Sequence, residues 1–244
     1  MLRAIIEILR YRPLKALAET RSVLLFLKSR IIFNLFSVPG VQFAQKVKAQ
    51  RISSFVAERP LAKIIVGDET IIYYDTQIEA YGDSEVVIGH NSVIGGANII
   101  SRAGIQIGNR TLLSWGIFIQ DFDPHPTDKQ KRAEQVLRMT SRSRSNLHVE
   151  GGHGSIHKKN NAFPKKKISI GSDVWIGANV IILKGVTIGD GSVVAAGSVV
   201  TSGTYPENAL LAGNPARVCR VFPDHSIESS LSLGARNVND HLQS

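Results

Sequence analysis

Aliphatic residues fall six apart from Ile170 to Val200, at Ile170, Ile176, Ile182, Ile188, Val194 and Val200. A six-residue step turns an α-helix by roughly 600°, which scatters these side chains over three faces instead of one stripe. A long strand would keep an even spacing on one face, but Gly171, Gly177, Gly185, Gly189, Gly191 and Gly197 interrupt it. The pattern therefore predicts very short strands separated by turns. Each aliphatic residue points inward, and the residue four later (Val174, Val180, Val186, Ser192, Ser198, Thr204) is small or β-branched. That is a solenoid coil with a six-residue repeat.

The same register runs upstream through Val66, Ile72 and Ile78, then Ile88, Ile94 and Ile100, then Ile107, Leu113 and Ile119. It slips near Asp83 to Glu85 and near Ala103 to Gln106, where Gly82, Asp83 and Gly104 suit a bulge or short loop. After Ile119 it breaks. Residues 121–167 are polar and rich in Lys, Arg and Ser, which predicts a loop extruded from the coil, and the register resumes at Ile168 and Ile170. The solenoid domain is thus expected over 61–220, with the insertion at 121–167 and a weakly patterned C-terminal tail over 221–244.

Residues 1–60 read as a helical region, because Ile5, Ile6, Ile8 and Leu9, then Leu24, Leu25, Leu27, Ile31, Ile32 and Leu35, recur at helical spacing between basic residues. Glu7, Arg10 and Arg12 break what would be the apolar core of a signal peptide. The longest uncharged run, Ile31 to Gln45, is too short to span a bilayer. Two expectations remain open for the segment: it rests on an anionic leaflet, or it caps the open end of the solenoid.

The formal charge of +9 sits mainly in the first fifty residues and between Lys129 and Lys167, while the repeat body is nearly neutral. Few aromatics interleave with those cations, which argues against a nucleic-acid groove. The single cysteine, Cys219, excludes an internal disulfide, suits a reducing compartment and reads as a small buried residue near the C-terminal turn.

Val174-Trp175-Ile176-Gly177-Ala178-Asn179-Val180, Lys184-Gly185-Val186-Thr187-Ile188-Gly189 and Ala212-Gly213-Asn214-Pro215-Ala216-Arg217 resemble the signature of the hexapeptide-repeat acyltransferases, nearest their sugar O-acetyltransferase branch. The likeness covers roughly Val66 to Arg220. It implies a left-handed parallel β-helix, a homotrimer with active sites between subunits, and acetyl-CoA as co-substrate with no metal.

The run Asp121-Phe122-Asp123-Pro124-His125-Pro126-Thr127-Asp128, followed by Arg132, resembles the family's His-Pro element, and the family's catalytic base maps onto His125. Histidine suits the role because an imidazole titrates near neutral pH. Asp121 or Asp123 is a candidate to orient it, and both also read as turn formers beside Pro124. By the same resemblance, contacts to the pantetheine arm fall on Ala178 and Ala196, contacts near the adenosine end on Thr201 and Ser202, and phosphate contacts on Arg217 and Arg220. Ser202 stands where the family often has Lys. A planar guanidinium suits a phosphate.

These readings imply an O-acetyltransferase that acts on a saccharide hydroxyl, by direct attack and without an acyl-enzyme. The basic N-terminus favours a cell-envelope polysaccharide or lipid-linked glycan, with the enzyme cytoplasmic and peripheral at the inner face of the membrane. The rivals are N-acetylation of an amino sugar, a non-catalytic trimeric scaffold, and a zinc protein like the gamma-class carbonic anhydrases. The last would draw on His148, His153 and His157, although these lie outside the repeat register.

Overall fold

The computed structural model describes residues 38–51, 54–141 and 164–223. Strands of two to six residues wind into about seven coils whose three parallel sheets form the sides of a prism. The first face stacks Val41–Phe43, Lys63–Val66, Glu85–Ile88, Ile105–Ile107, Ile168–Ile170, Val186–Ile188 and Gly203–Tyr205. The second stacks Lys48–Ala49, Ile71–Ile72, Val93–Ile94, Leu112–Leu113, Trp175–Ile176, Val193–Val194 and Ala209–Gly213, and ends in Ala216–Val221, which returns antiparallel. The third stacks Phe55–Ala57, Gln77–Ala80, Ala97–Ser101, Ile117–Gln120, Ile181–Leu183 and Val199–Val200. The architecture is the predicted parallel β-helix and is consistent with a left-handed one.

Register explains the core. Val66, Ile88, Ile107, Ile170 and Ile188 stack inward on the first face, with Ile72, Ile94, Leu113, Ile176 and Val194 on the second and Ile78, Ile99, Ile119, Ile182 and Val200 on the third. All fifteen are buried in one continuous cluster. Burying each such side chain stabilises the fold by roughly 1.5–3 kcal/mol relative to leaving it in water.

The corner between the first and second faces repeats from the second coil onward. Glu69, Asn91, Arg110, Asp173, Gly191 and Asn208 occupy it with φ between 52° and 68°. At the next position Thr70, Ser92, Thr111 and Ser192 turn their hydroxyls inward to donate to the carbonyls of Gly89, Gly108, Gly171 and Pro206. Small polar residues four after the first-face aliphatic thus pair buried carbonyls that would otherwise be costly.

Four expectations change. The coil begins earlier than the register suggests: within the region expected to be helical, Val41–Phe43, Lys48–Ala49 and Phe55–Ala57 form a first turn paired with the second. Phe43, Ala49 and Phe55 are also six apart, so phenylalanine and alanine hid the signal carried elsewhere by Ile, Leu and Val. Ile100 is not a register member, because Ile99 pairs with Ile78 and Ile119 inside the coil while Ile100 packs outside it with Tyr81 and Phe122. The slip therefore begins at Gly95-Gly96.

The insertion also contains a helix, α1 (Lys129–Ser141). Its start is capped by Asp128, whose Oδ1 accepts from the Lys131 amide at 2.9 Å. Cys219 is exposed on the last strand, which no other described residue covers. The N-terminal helices expected before Val38, the trio His148, His153 and His157, and the tail from 224 onward lie outside the described residues. No described helix is long and apolar enough to cross a membrane.

Candidate functional site

The insertion leaves the coil after Gln120 and returns at Ile168, and its two ends are fastened at the base. Asp123 N–H donates to Pro164 O, Lys166 N–H donates to Asp121 O, and Phe122 bridges Lys165. Asp121 is fully buried there. Its carboxylate accepts from Ser101 Oγ and from the amides of Arg102, Ala103 and Gly104 at 2.7–2.9 Å. This aspartate ties the insertion to the turn of the preceding coil.

Arg102 lies between the rings of Tyr81 and Phe122, 5.2 and 5.4 Å from their centroids. Burial lowers the guanidinium's affinity for its proton, and burial together with a hydrogen bond to Glu79 pushes the Tyr81 phenol well above its usual range. The base is tethered again by Lys165, which donates to Arg102 O and pairs with Asp83. That hydrogen bond holds the Asp83 carboxyl below the usual carboxylate range.

His125 follows on an exposed stretch between Pro124 and Pro126. Arg132, one turn into α1, clamps the backbone next to it: its Nη1 donates to Pro126 O at 3.0 Å and Thr127 O at 2.8 Å. The ring itself meets Gln135 of the same helix, with Nδ1 3.1 Å from Oε1. An amide oxygen only accepts, so in the neutral ring this contact selects the tautomer with Nδ1 as the donor and the lone pair on Nε2. An open cleft of ≈ 460 Å³ is lined here by Asp123, His125, Asp128, Glu134, Gln135 and Pro164, among others.

Neither aspartate hydrogen-bonds the imidazole. Asp121 is engaged in the turn, and Asp123 pairs with Lys184 of the next coil at 2.5 Å. Gln135 and Lys184 escape a reading based on the repeat. Asp128 followed by a run of helix formers was the available signal for α1, and through it for Gln135.

The residues expected to hold acetyl-CoA lie elsewhere. Ala178 and Ala196 stack one coil apart at the corner between the second and third faces, where Gly197 N–H donates to Ala178 O. The backbones approach closely: a Cβ on Gly177 would sit 2.6 Å from the Ala196 nitrogen. The corner thus presents methyl groups and bare backbone. Thr201 and Ser202 leave the third face at its opposite edge, where Ser202 Oγ donates to Gly185 O at 3.3 Å. Arg217 and Arg220 are exposed on the terminal antiparallel strand, which also approaches Val199–Val200. Arg220 lies over the Phe222 ring, and Arg217 Nη1 donates to Ala216 O. None of these six residues lines the His125 cleft.

Among the described residues no cluster of three or more His, Cys, Asp or Glu is disposed to hold a metal ion. The His148, His153 and His157 trio lies outside them.

Two family models match the coil: the bacterial transferase hexapeptide (six repeats) over residues 167–202, and the hexapeptide repeat of succinyl-transferase over 85–120. The two matches identify hexapeptide repeats in the coil on either side of the insertion. Among solved structures it is similar to the polySia-specific acetyltransferase NeuO, at 22% identity and a TM-score of 0.50 over 78% of this chain and 83% of that one. Also similar are a maltose O-acetyltransferase from Clostridium difficile (23% identity, 75% of this chain and 67% of that one, TM-score 0.38) and AntD, an N-acyltransferase from Bacillus cereus in complex with dTDP and 3-hydroxybutyryl-CoA (18% identity, 82% and 93%, TM-score 0.48). No curated protein matches the chain.

Proposed function

We propose that the chain is an acetyl-CoA-dependent O-acetyltransferase acting on a saccharide hydroxyl of a cell-envelope polysaccharide or lipid-linked glycan. The observation that carries this reading is His125, exposed in a cleft beside a transferase coil, with Nδ1 held and Nε2 left basic. His125 Nε2 takes the proton of the acceptor hydroxyl as its oxygen adds to the thioester carbonyl, then returns that proton to the departing thiolate. No acyl-enzyme forms. Ala178 and Ala196 fit the pantetheine arm, because a methyl-lined corner admits a chain lying along the backbone. Thr201 and Ser202 serve its adenosine end, and Arg217 and Arg220 its phosphates.

Separation of the His125 cleft from the cofactor residues supports a homotrimer in which each active site joins His125 of one subunit to the cofactor corner of its neighbour. The basic residues from Arg3 to Arg30 support peripheral attachment to an anionic inner leaflet, which flotation with anionic and neutral vesicles tests. The enzymatic reading is tested by incubating the protein with acetyl-CoA and a panel of glycans, lipid-linked oligosaccharides included. A mass increase of one acetyl group on a glycan that is labile to mild base supports the ester. A base-stable product means N-acetylation, and unmodified glycans with intact acetyl-CoA contradict the proposal.

A further inference from the structure

We infer that Gln135 is the positioning residue of the imidazole: its side-chain oxygen fixes His125 in the Nδ1–H tautomer and aims Nε2 into the cleft. This rests on the reading of His125 as the base. Gln135 is buried although it belongs to a helix of otherwise exposed, charged character, and its Oε1 lies 3.1 Å from the ring Nδ1. Arg132 and Gln135 stand three apart in α1 and so share a face. One holds the backbone after His125 and the other holds its ring.

The choice of a neutral amide has a chemical consequence. A carboxylate behind an imidazole stabilises the imidazolium and raises its affinity for a proton, whereas an amide orients the ring with far less electrostatic bias. Asp121, Asp123 and Asp128 are the carboxylates within four residues of His125, and Glu134 lines the same cleft with Lys131 and Arg138. Each carboxylate is tied to another partner, Asp128 to the Lys131 amide and Glu134 to Arg138, so in this structure orientation is delegated to Gln135. The helix that carries it belongs wholly to the insertion, and the Asp128 cap fixes where that helix begins.

The test uses full-length protein and four variants: Gln135→Leu, Gln135→Glu, His125→Ala and the double variant His125→Ala/Gln135→Leu. Gln135→Leu should lower kcat about tenfold or more, a part of the 10²–10⁴-fold that a general base supplies, while KM for acetyl-CoA stays as in wild type. Gln135→Glu should keep most of the turnover and move the acidic limb of the kcat/KM profile to higher pH, because a more basic imidazole must lose its proton at higher pH before it can act. In the His125→Ala background, Gln135→Leu should have no further effect.

A readout that needs no activity is the ¹⁵N spectrum of the His125 imidazole. Neutral wild type should carry its proton on Nδ1, and Gln135→Leu should shift the population toward Nε2–H. If His125→Ala turns over like wild type, the base assignment itself fails. If His125→Ala is inactive while Gln135→Leu keeps wild-type kcat and tautomer and Gln135→Glu leaves the pH limb in place, only the positioning role fails.

Discussion

The coil and the insertion that leaves it after Gln120 are held by unlike means. In the coil the same few contacts repeat: an inward aliphatic on each face, a left-handed corner residue, and a hydroxyl that pairs a carbonyl of the next turn. In the insertion nothing repeats. Single contacts hold it: the Asp121 carboxylate at the base, the Lys165 and Lys184 ion pairs, the Asp128 cap, and the Gln135 bond to His125. A repeating scaffold spreads its stability over many equivalent positions and leaves one loop free to place reactive groups.

Asp121 and His125 sharpen this contrast most, since they are four residues apart in sequence. Removing the Asp121 carboxylate strands the Ser101 hydroxyl and the amides of Arg102 and Ala103, while the Gly104 amide keeps Ser101 Oγ, so Asp121→Ala should destabilise the protein by roughly 3–5 kcal/mol, given 1–3 kcal/mol for each buried group left unpaired and incomplete additivity. Chemical denaturation reads this directly. A loss of under 1 kcal/mol would show that the turn does not need the carboxylate. His125→Ala, at an exposed position, should change stability by no more than about 0.5 kcal/mol.

Within the coil, Ile182→Ala should lose about 2–5 kcal/mol, because a fully buried side chain between Ile119 and Val200 leaves a cavity that two stacked strands cannot close. Arg217→Ala should leave the melting temperature nearly unchanged and weaken acetyl-CoA about tenfold more than dephospho-CoA, if its guanidinium pairs the 3′-phosphate. Calorimetric titration of both ligands decides this, and equal weakening assigns Arg217 another role.

The smallest effect concerns pH. The Asp83 carboxyl is depressed by its hydrogen bond to Lys165, so the stability this pair contributes is full above the ordinary aspartate range and is lost as pH falls through the lower folded value. An exposed pair contributes only about 0–1 kcal/mol. Between wild type and Asp83→Asn, the difference in stability should therefore be small at neutral pH and vanish in acid. A difference that grows on acidification contradicts the tether.

The coil was legible from Val66 onward because one physical demand, an aliphatic side chain inside each short strand, recurs at a fixed spacing. It was illegible at Phe43, Ala49 and Phe55, where the same demand is met by other residue types, and at Ile100, where a glycine pair shortens the turn and moves the inward position to Ile99. His125 stood out in the sequence through its Pro-flanked motif. Its partner was not, because a hydrogen bond across ten residues depends on where α1 begins, and that is set by the Asp128 cap. The burial expected of Cys219 failed for a related reason: the last strand is an edge, and sequence alone does not say which strand lacks a neighbour.

The central claim is that the insertion supplies the chemistry and the coil the support. Its most direct test is to measure acetyl transfer to the accepted glycan and acetyl-CoA affinity on the same preparations of wild type and His125→Ala. The account predicts that transfer falls by about 10²–10⁴-fold while affinity and melting temperature stay within error of wild type. Near wild-type transfer by the variant would contradict it.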